Sequence, residues 1–284
     1  MVKEKSEEDK NFSVSGVLKK LRLSRSGYYS YLRRTISKQK RRKQEIQKEI
    51  IRVHNESHQI YGAPKIAIIL RRLGQRITEK TVGRYMRELK LKAAYIRPYQ
   101  RTTLNSDFSS SLSNILKRDF VSEKPNTIWC IDITYIPTKM EGFVYLTSIM
   151  DLYSRRIISW TLSRNMKVEE VLKCLKEVTA KRKEEKPLII QSDRGSQFVS
   201  YQYRQLTEGM KLSYSDKGCP WDNACLESFH SLIKREWLNR RNIVDYQDAY
   251  HLVFEYIEAF YNTVRIHSYN DYQSPKQREE ASAN

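Results

Sequence analysis

IWCIDITYI, residues 128–136, is an apolar run rich in β-branched and aromatic residues and broken by a single acid. A period of two puts Ile128, Cys130, Asp132, Thr134 and Ile136 on one face and Trp129, Ile131, Ile133 and Tyr135 on the other. Both faces are largely apolar, so the run predicts a strand covered by other layers on its two sides. An acid in such a strand is costly unless a cation, a hydrogen-bond network or an opening at the sheet edge compensates it. A structural aspartate paired with a buried arginine is the competing reading of Asp132.

Working outward, the pattern predicts further strands at 143–150, 156–161, 188–192 and 211–215, and helices at 167–183, 200–209, 222–238 and 246–262. Short connections between the first three strands predict an antiparallel meander, and the later strand-helix alternation predicts parallel additions. The expected core is therefore α/β, a mixed sheet with helices on its faces.

Two more acids stand in different local settings. Asp193 closes LIIQSD just before RGSQF, at the carboxyl end of an apolar strand, where open α/β sheets place ligands. Arg194 and Gly195 then allow a tight exit with close approach of a phosphate. Taken singly, Asp193 reads equally well as a turn-forming aspartate. Glu227 lies in DNACLESFHSLIKREW, where Asn223, His230 and Lys234 stand at i−4, i+3 and i+7 and share its helix face. That stripe fits surface salt-bridging, but it also suits one metal ligand flanked by groups that grip a DNA backbone. His230 reads equally as a solvated or supporting histidine. Together the three carboxylates look like a two-metal phosphoryl-transfer site, and oxygen-only ligands favour Mg²⁺ or Mn²⁺ over zinc.

Charge is segregated along the 284 residues. Residues 1–124 hold 30 Lys and Arg against 12 Asp and Glu, whereas 125–284 hold 22 against 21, so nearly all of the net +19 lies in the N-terminal part. Such a surplus points to a polyanionic partner, double-stranded DNA above all. Cys130, Cys174, Cys219 and Cys225 form no CxxC pair and have no matching histidine pair, which argues against a zinc finger. The start MVKEKSEEDK lacks the apolar stretch of a signal peptide, and no run approaches the roughly 20 apolar residues of a membrane span. The expectation is a cytoplasmic, nucleoid-associated protein with reduced thiols and no membrane partner.

The basic part reads as helices. Residues 12–34 contain a first short helix striped by Val14, Val17, Leu18 and Leu21 and a second capped by Ser24, a helix-turn-helix candidate presenting Arg25, Tyr28, Tyr29, Arg33 and Arg34. After a charged helical stretch, YGAPKIAIILRRLGQRITEKTVGRYMRELKLKA offers a second unit. There Pro64 starts a helix that Gly74 ends, and Thr78 precedes another carrying Val82, Met86 and Leu89 inward and Lys80, Arg84, Arg87 and Lys90 outward. These divisions predict a helix-turn-helix at 1–38, a helical linker and second DNA-binding unit at 39–96, a Ser/Thr/Asn-rich linker at 97–124 and a core at 125–284.

The strings PNTIWCIDIT, SDRGSQF, KGCPWDNACLESFHSLIKRE and YNTVRIH, with 33 residues between Asp193 and Glu227, resemble the catalytic core of the OrfB transposases of the IS-three insertion-sequence family. LRLSRSGYYSYLRR and YGAPKI resemble the helix-turn-helix regions of the same proteins. The resemblance implies a ribonuclease-H-like DDE integrase core in which Asp132, Asp193 and Glu227 hold two Mg²⁺ ions. It also implies that Lys234 holds a transposon-end phosphate, and that the enzyme cleaves insertion-sequence ends and joins a 3′-hydroxyl to a phosphodiester. Arg265 and His267 match the family's YNxxRxH ending, either as DNA contacts or as packing for the last helix. One departure is that the family commonly has a basic residue two positions after the glycine of YG, where this chain has Pro64 and then Lys65. Synapsis of two terminal inverted repeats implies a homo-oligomer, and the upstream-frame OrfA product is a further candidate partner. The alternatives are a DNA-end-binding regulator that needs that product for catalysis, and a host ribonuclease H or retroviral-type integrase, which the flanking segments disfavour.

Overall fold

Strand β1 (Ile128–Thr138) pairs antiparallel with β2 (Gly142–Asp151), which pairs antiparallel with β3 (Arg156–Ser163), as the short connections require. On its other side β1 meets β4 (Ile189–Ser192), and β4 meets β5 (Lys211–Tyr214), both in parallel, giving the order β3-β2-β1-β4-β5. The computed structural model describes residues 13–33, 36–94, 112–182, 187–216 and 219–282. Arg34 and the 97–111 portion of the expected linker lie outside them.

One face of the sheet, through Trp129, Ile131, Ile149 and Ile190, buries its apolar side chains with Val171, Cys174, Leu175 and Val178 of the next helix (Val168–Lys181) and with Phe198 and Tyr203. The opposite face receives the helix that carries Glu227. These layers are those expected from a strand apolar on both sides.

Among the described residues the α-helices are α1 (Val14–Lys20), α2 (Arg25–Leu32), α3 (Lys38–Glu56), α4 (Ala63–Arg72), α5 (Glu79–Glu88), α6 (Val168–Lys181), α7 (Ser196–Val199), α8 (Tyr201–Leu206), α9 (Ala224–Glu236), α10 (Tyr246–Phe254) and α11 (Pro275–Glu280). Two of the predicted helices are divided. Residues 222–238 open with a 3₁₀ turn, Pro220–Asn223, and α9 stops where Trp237 leaves helical geometry to stack on Phe260. Residues 246–262 begin as α10 and widen into a π-helical segment, Glu255–Tyr261. The wider turn lets Tyr256, Ile257, Phe260 and Tyr261 all face the interior, where each is buried.

The chain forms two compact units, Met1–Arg52 and Val53–Asn284. In the first, Ser24 caps α2 by accepting from the Gly27 backbone N–H, and Leu18 is buried while Leu21 is exposed. In the second, Thr78 caps α5 by accepting from Thr81 N, and Gly74 ends the preceding turn at φ +83°. Val82 and Met86 are buried there.

Within that second unit, the YG motif is an anchor to the C-terminal segment around residues 264–272. Tyr61 is buried, accepts a hydrogen bond from Ile266 N at 2.9 Å and donates to Val264 O at 3.3 Å. Arg72 donates to the carbonyls of Asp271 and Tyr272. Lys65 lies over the Tyr61 ring, and burial, with help from Arg265, brings its ammonium down to about 8. Residues 112–124, the end of the stretch read as a linker, also lie against the core: Leu116 is buried and Ser213 Oγ accepts from the N–H groups of Ile115 and Leu116.

A deeply buried ion pair binds these parts. Glu236, on the last turn of α9, accepts two hydrogen bonds from Arg265, at 2.8 and 2.7 Å, and a third from the Tyr256 hydroxyl at 2.8 Å. Burial pushes the Glu236 carboxyl up, but the Arg265 hydrogen bonds and charge outweigh it and hold the group below its ordinary value. Arg265 therefore faces inward, the packing member of its two alternatives, and is not exposed to DNA as its assignment to the DNA-binding set required. His267 accepts from Tyr269 N and is brought down to about 4 by burial and the nearby cations, so it is neutral at pH 7.

Replacing Arg265 with Met strands a buried carboxylate, and urea unfolding should show a loss of about 3–5 kcal/mol, against under ~1 for an exposed pair. Glu236→Met/Arg265→Met together should recover most of that loss. Because the folded Glu236 binds its proton less readily than the unfolded one, its contribution is present above about pH 4.5 and fades as pH falls through its lower folded value. Wild type should thus lose stability in acid more steeply than the double variant.

Candidate active site

Strand β4 pairs with β1 only through Ile128, Trp129 and Cys130, so from Ile131 onward that edge of β1 is open. Continuing the parallel register by two residues from Cys130↔Gln191 sets Asp132 beside Asp193, where β4 ends. Neighbouring strands lie about 4.8 Å apart, so the open edge and the end of a short strand bring two acids together. This is the opening that makes an acid tolerable in an apolar strand.

Asp132 is partly covered, at 14% side-chain exposure, and is held on two sides. Its Oδ1 accepts from Ile133 N at 2.9 Å, and its Oδ2 lies 3.4 Å from His230 Nδ1. His230 Nε2 lies 3.3 Å from the Ser148 hydroxyl, which the β1–β2 register sets directly across from Asp132. A carboxylate only accepts, so the arrangement suits the tautomer with its proton on Nδ1, Ser148 donating to Nε2.

Asp193 is exposed at the mouth of the sheet, and its Oδ1 accepts from Gly195 N at 2.9 Å. A Cβ at Gly195 would lie 3.0 Å from that same oxygen, so only glycine leaves the carboxylate undisturbed. Loss of hydration, followed by the charge of Asp132 and then of Glu227, pushes Asp193 up to about 6. Glu227, half-buried on the first turn of α9, lies where the helix dipole favours an anion.

Other residues of the predicted set divide. Lys234 is half-buried, with its ammonium 4.4 Å from the centre of the Tyr135 ring. Arg84 and Arg87 are exposed on α5. Arg25 and Arg33, on and just after α2, are exposed in the other unit. Asn223 and His230 are buried, so they support β1 from inside where an outward grip on DNA was expected: Asn223 Nδ2 donates to Ile131 O on the open edge at 3.5 Å. Arg194 is likewise a strap and not an outstretched cation. Its Nε donates to Ser215 O at 2.8 Å and its Nη2 to Leu112 O at 3.1 Å, with Asp216 at 3.3 Å.

Two supporting residues carry no mark in the sequence. Ser148 becomes visible only through strand pairing. Arg155, with φ +60° and buried, donates to Cys225 Sγ and to Phe120 O and stacks on Tyr269. It thereby clamps the segment before β1 to the start of α9. Arg118 adds a second clamp through Asp222, at 2.6 Å.

The donor chemistry fits a hard divalent cation: three carboxylates, no thiolate, and mutual repulsion that a cation would relieve. Among the described residues, no three His, Cys, Asp or Glu side chains are already drawn into a metal-ligating cluster. The buried Asn223 Oδ1 also finds no hydrogen-bond partner among them.

Residues 40–99 match the HTH-like domain family, and residues 122–220 and 208–275 match two integrase core domain families. The transposase for insertion sequence element IS904 of Lactococcus lactis is 36% identical over 241 residues, covering 82% of this chain and 95% of its own length. The transposase InsF for insertion sequence IS3A of Escherichia coli is 34% identical over 272 residues, 94% of either chain. Among solved structures, the trimeric form of the HTLV-2 integrase catalytic core domain in complex with magnesium aligns at a TM-score of 0.44 and 17% identity, over 56% of this chain and 99% of that one. No helix among the described residues is long and apolar enough to cross a membrane.

The strap role of Arg194 has a direct test. Arg194→Ala should lower stability to urea by about 1.5–3 kcal/mol, as expected for losing charge-assisted hydrogen bonds to part-buried carbonyls. Unchanged stability would return Arg194 to the set of outward-facing cations.

Proposed function

This chain belongs to the IS3-family transposases, and we propose that it cuts and joins DNA ends at Asp132, Asp193 and Glu227. The observation that carries this reading is that the charges of Asp132 and then of Glu227 help to raise the Asp193 carboxyl beside the open edge of β1, so the three acids lie within electrostatic reach of one another. Two Mg²⁺ ions held by these carboxylates, with Mn²⁺ able to substitute, would stabilise the attacking and leaving oxygens of an in-line displacement at phosphorus.

The chain's own residues have separate tasks. His230 and the Ile133 N–H hold Asp132 in one orientation, and Gly195 N holds Asp193. Lys234, two turns beyond Glu227 on α9, grips a phosphate of the element's end. Water attacks in the cleavage step and a 3′-hydroxyl in the joining step, each displacing an oxygen from phosphorus without a covalent bond to the protein. The integrase core and the HTH-like region support double-stranded DNA as the partner.

We assign Arg25, Arg33, Arg84 and Arg87 to phosphate contacts of the terminal repeats, with the divisions 1–38, 39–96, 97–124 and 125–284 as the working domain limits. Several such contacts make binding strongly salt-dependent. Synapsis of two ends calls for a homo-oligomer, and the upstream-frame product is a candidate regulator of cleavage.

The test incubates the protein with Mg²⁺ and DNA carrying the element's terminal inverted repeats. Wild type should cleave, chelation should abolish cleavage, and Glu227→Gln should slow it on the order of a thousandfold, the equivalent of several kcal/mol of lost charge stabilisation. Cleavage that survives Glu227→Gln at the wild-type rate would remove Glu227 from the site. Specific binding with cutting only after the upstream-frame product is added would favour the regulator.

A further inference from the structure

Beyond Asp132, strand β1 carries an aromatic surface that the chemistry above does not use. Tyr135 is 55% exposed and Phe143, on β2, is 49% exposed. Their rings meet edge to face, with centroids 5.3 Å apart. Large aromatics are ordinarily turned inward, and here two stand out together near the turn between β1 and β2.

The surface is rigid and bordered by cations. The β1–β2 turn is fixed by Lys139 N donating to Ile243 O at 3.1 Å and Met140 N to Val244 O at 3.0 Å. Beside it lies a cavity of about 270 Å³ lined by Lys139, Lys234 and Arg241 together with Pro137 and Asn242. Arg241 pairs with Glu255, at 3.2 Å, and Lys139 and Lys234 add positive charge beside it. The Lys234 ammonium covers one face of the Tyr135 ring.

We propose that Tyr135 and Phe143 form a stacking platform for an unpaired base at the processed DNA end, with Lys139 and Lys234 on the flanking phosphates. Aromatic rings interleaved with lysines are the pattern that holds single strands, because every base has a π-face and every nucleotide a phosphate. The incoming base takes the ring face that Lys234 now covers, and the ammonium passes to the adjoining phosphate. Tyr135 lies three residues from Asp132, roughly 10 Å along the strand and, by the alternation of side chains, on its other face, with the open edge of β1 between them. A strand end held on the platform would therefore pass around the open edge of β1 to reach the acids, away from its complement. This inference rests on the reading of the chain as a DNA-end enzyme.

The experiment uses the full chain with two DNA probes bearing the element's terminal repeat: a blunt duplex, and the same duplex with three unpaired nucleotides at its end, one of them 2-aminopurine. Wild type should bind the frayed probe about tenfold more tightly and quench its fluorescence by stacking. Tyr135→Ala should abolish both the preference and the quenching, whereas Tyr135→Phe keeps them. Equal preference and quenching in wild type and Tyr135→Ala would overturn the platform, as would a change of oligomeric state in that variant with quenching intact. If Tyr135→Ala does not fold, Tyr135→Trp decides: deeper quenching supports the platform and unchanged quenching overturns it. Wild type that binds blunt and frayed ends equally refutes the platform alone, whereas wild type that binds neither refutes the DNA-end reading beneath it.

Discussion

The hydrogen-bonded pair of Glu236 and Arg265 is the constraint on which the rest of the arrangement depends. It joins the last turn of α9 to the segment after the π-helical stretch, and Tyr256 completes the cage from that stretch. Glu227 lies nine residues earlier on α9, roughly 13 Å along a rigid helix. Anchoring one end of that helix therefore sets how the other end meets β1. Tyr61 reaches the same region through Val264 and Ile266, and Lys65 adds its charge, so the unit that carries α4 and α5 is secured at the same place.

The site itself shows two ways of keeping a carboxylate in order. Asp132 is half-buried and braced by a histidine whose other nitrogen is itself braced. Asp193 is open to water and constrained by one backbone N–H and by neighbours of like charge. Rigid and yielding carboxylates side by side suit the cation-holding role proposed for them, in which the charge distribution of the substrate changes during reaction.

Much of this was legible in the chain because it rests on local pattern. The period-two run around Asp132, the strand end at Asp193 and the helix face at Glu227 are short-range signals, and the mixed sheet follows from connection lengths. The inward turn of Arg194, Asn223, His230 and Arg265 was not legible. Each of these polar groups is committed to a partner between 21 and 98 residues away, apart from contacts nearer in sequence, and no local pattern separates such a group from one that reaches into solvent. The π-helical widening was hidden for a related reason: it answers to the packing of Tyr256, Phe260 and Tyr261, not to their spacing alone. Tyr61, read as part of a DNA-binding motif, proves to be an anchor because its partners lie some 200 residues downstream.

The open edge of β1 also bears on how the protein survives at high concentration. From Ile131 onward no strand among the described residues pairs with β1 on the β4 side, and such unpaired backbone is a template on which a second molecule could extend the sheet. Asn223 occupies one carbonyl of that edge. Asp132 places a charge along it, and charge on an unpaired edge is among the devices by which folded proteins resist edge-to-edge aggregation. The acid that is costly to fold into an apolar strand thus also acts as a gatekeeper, guarding the opening it needs.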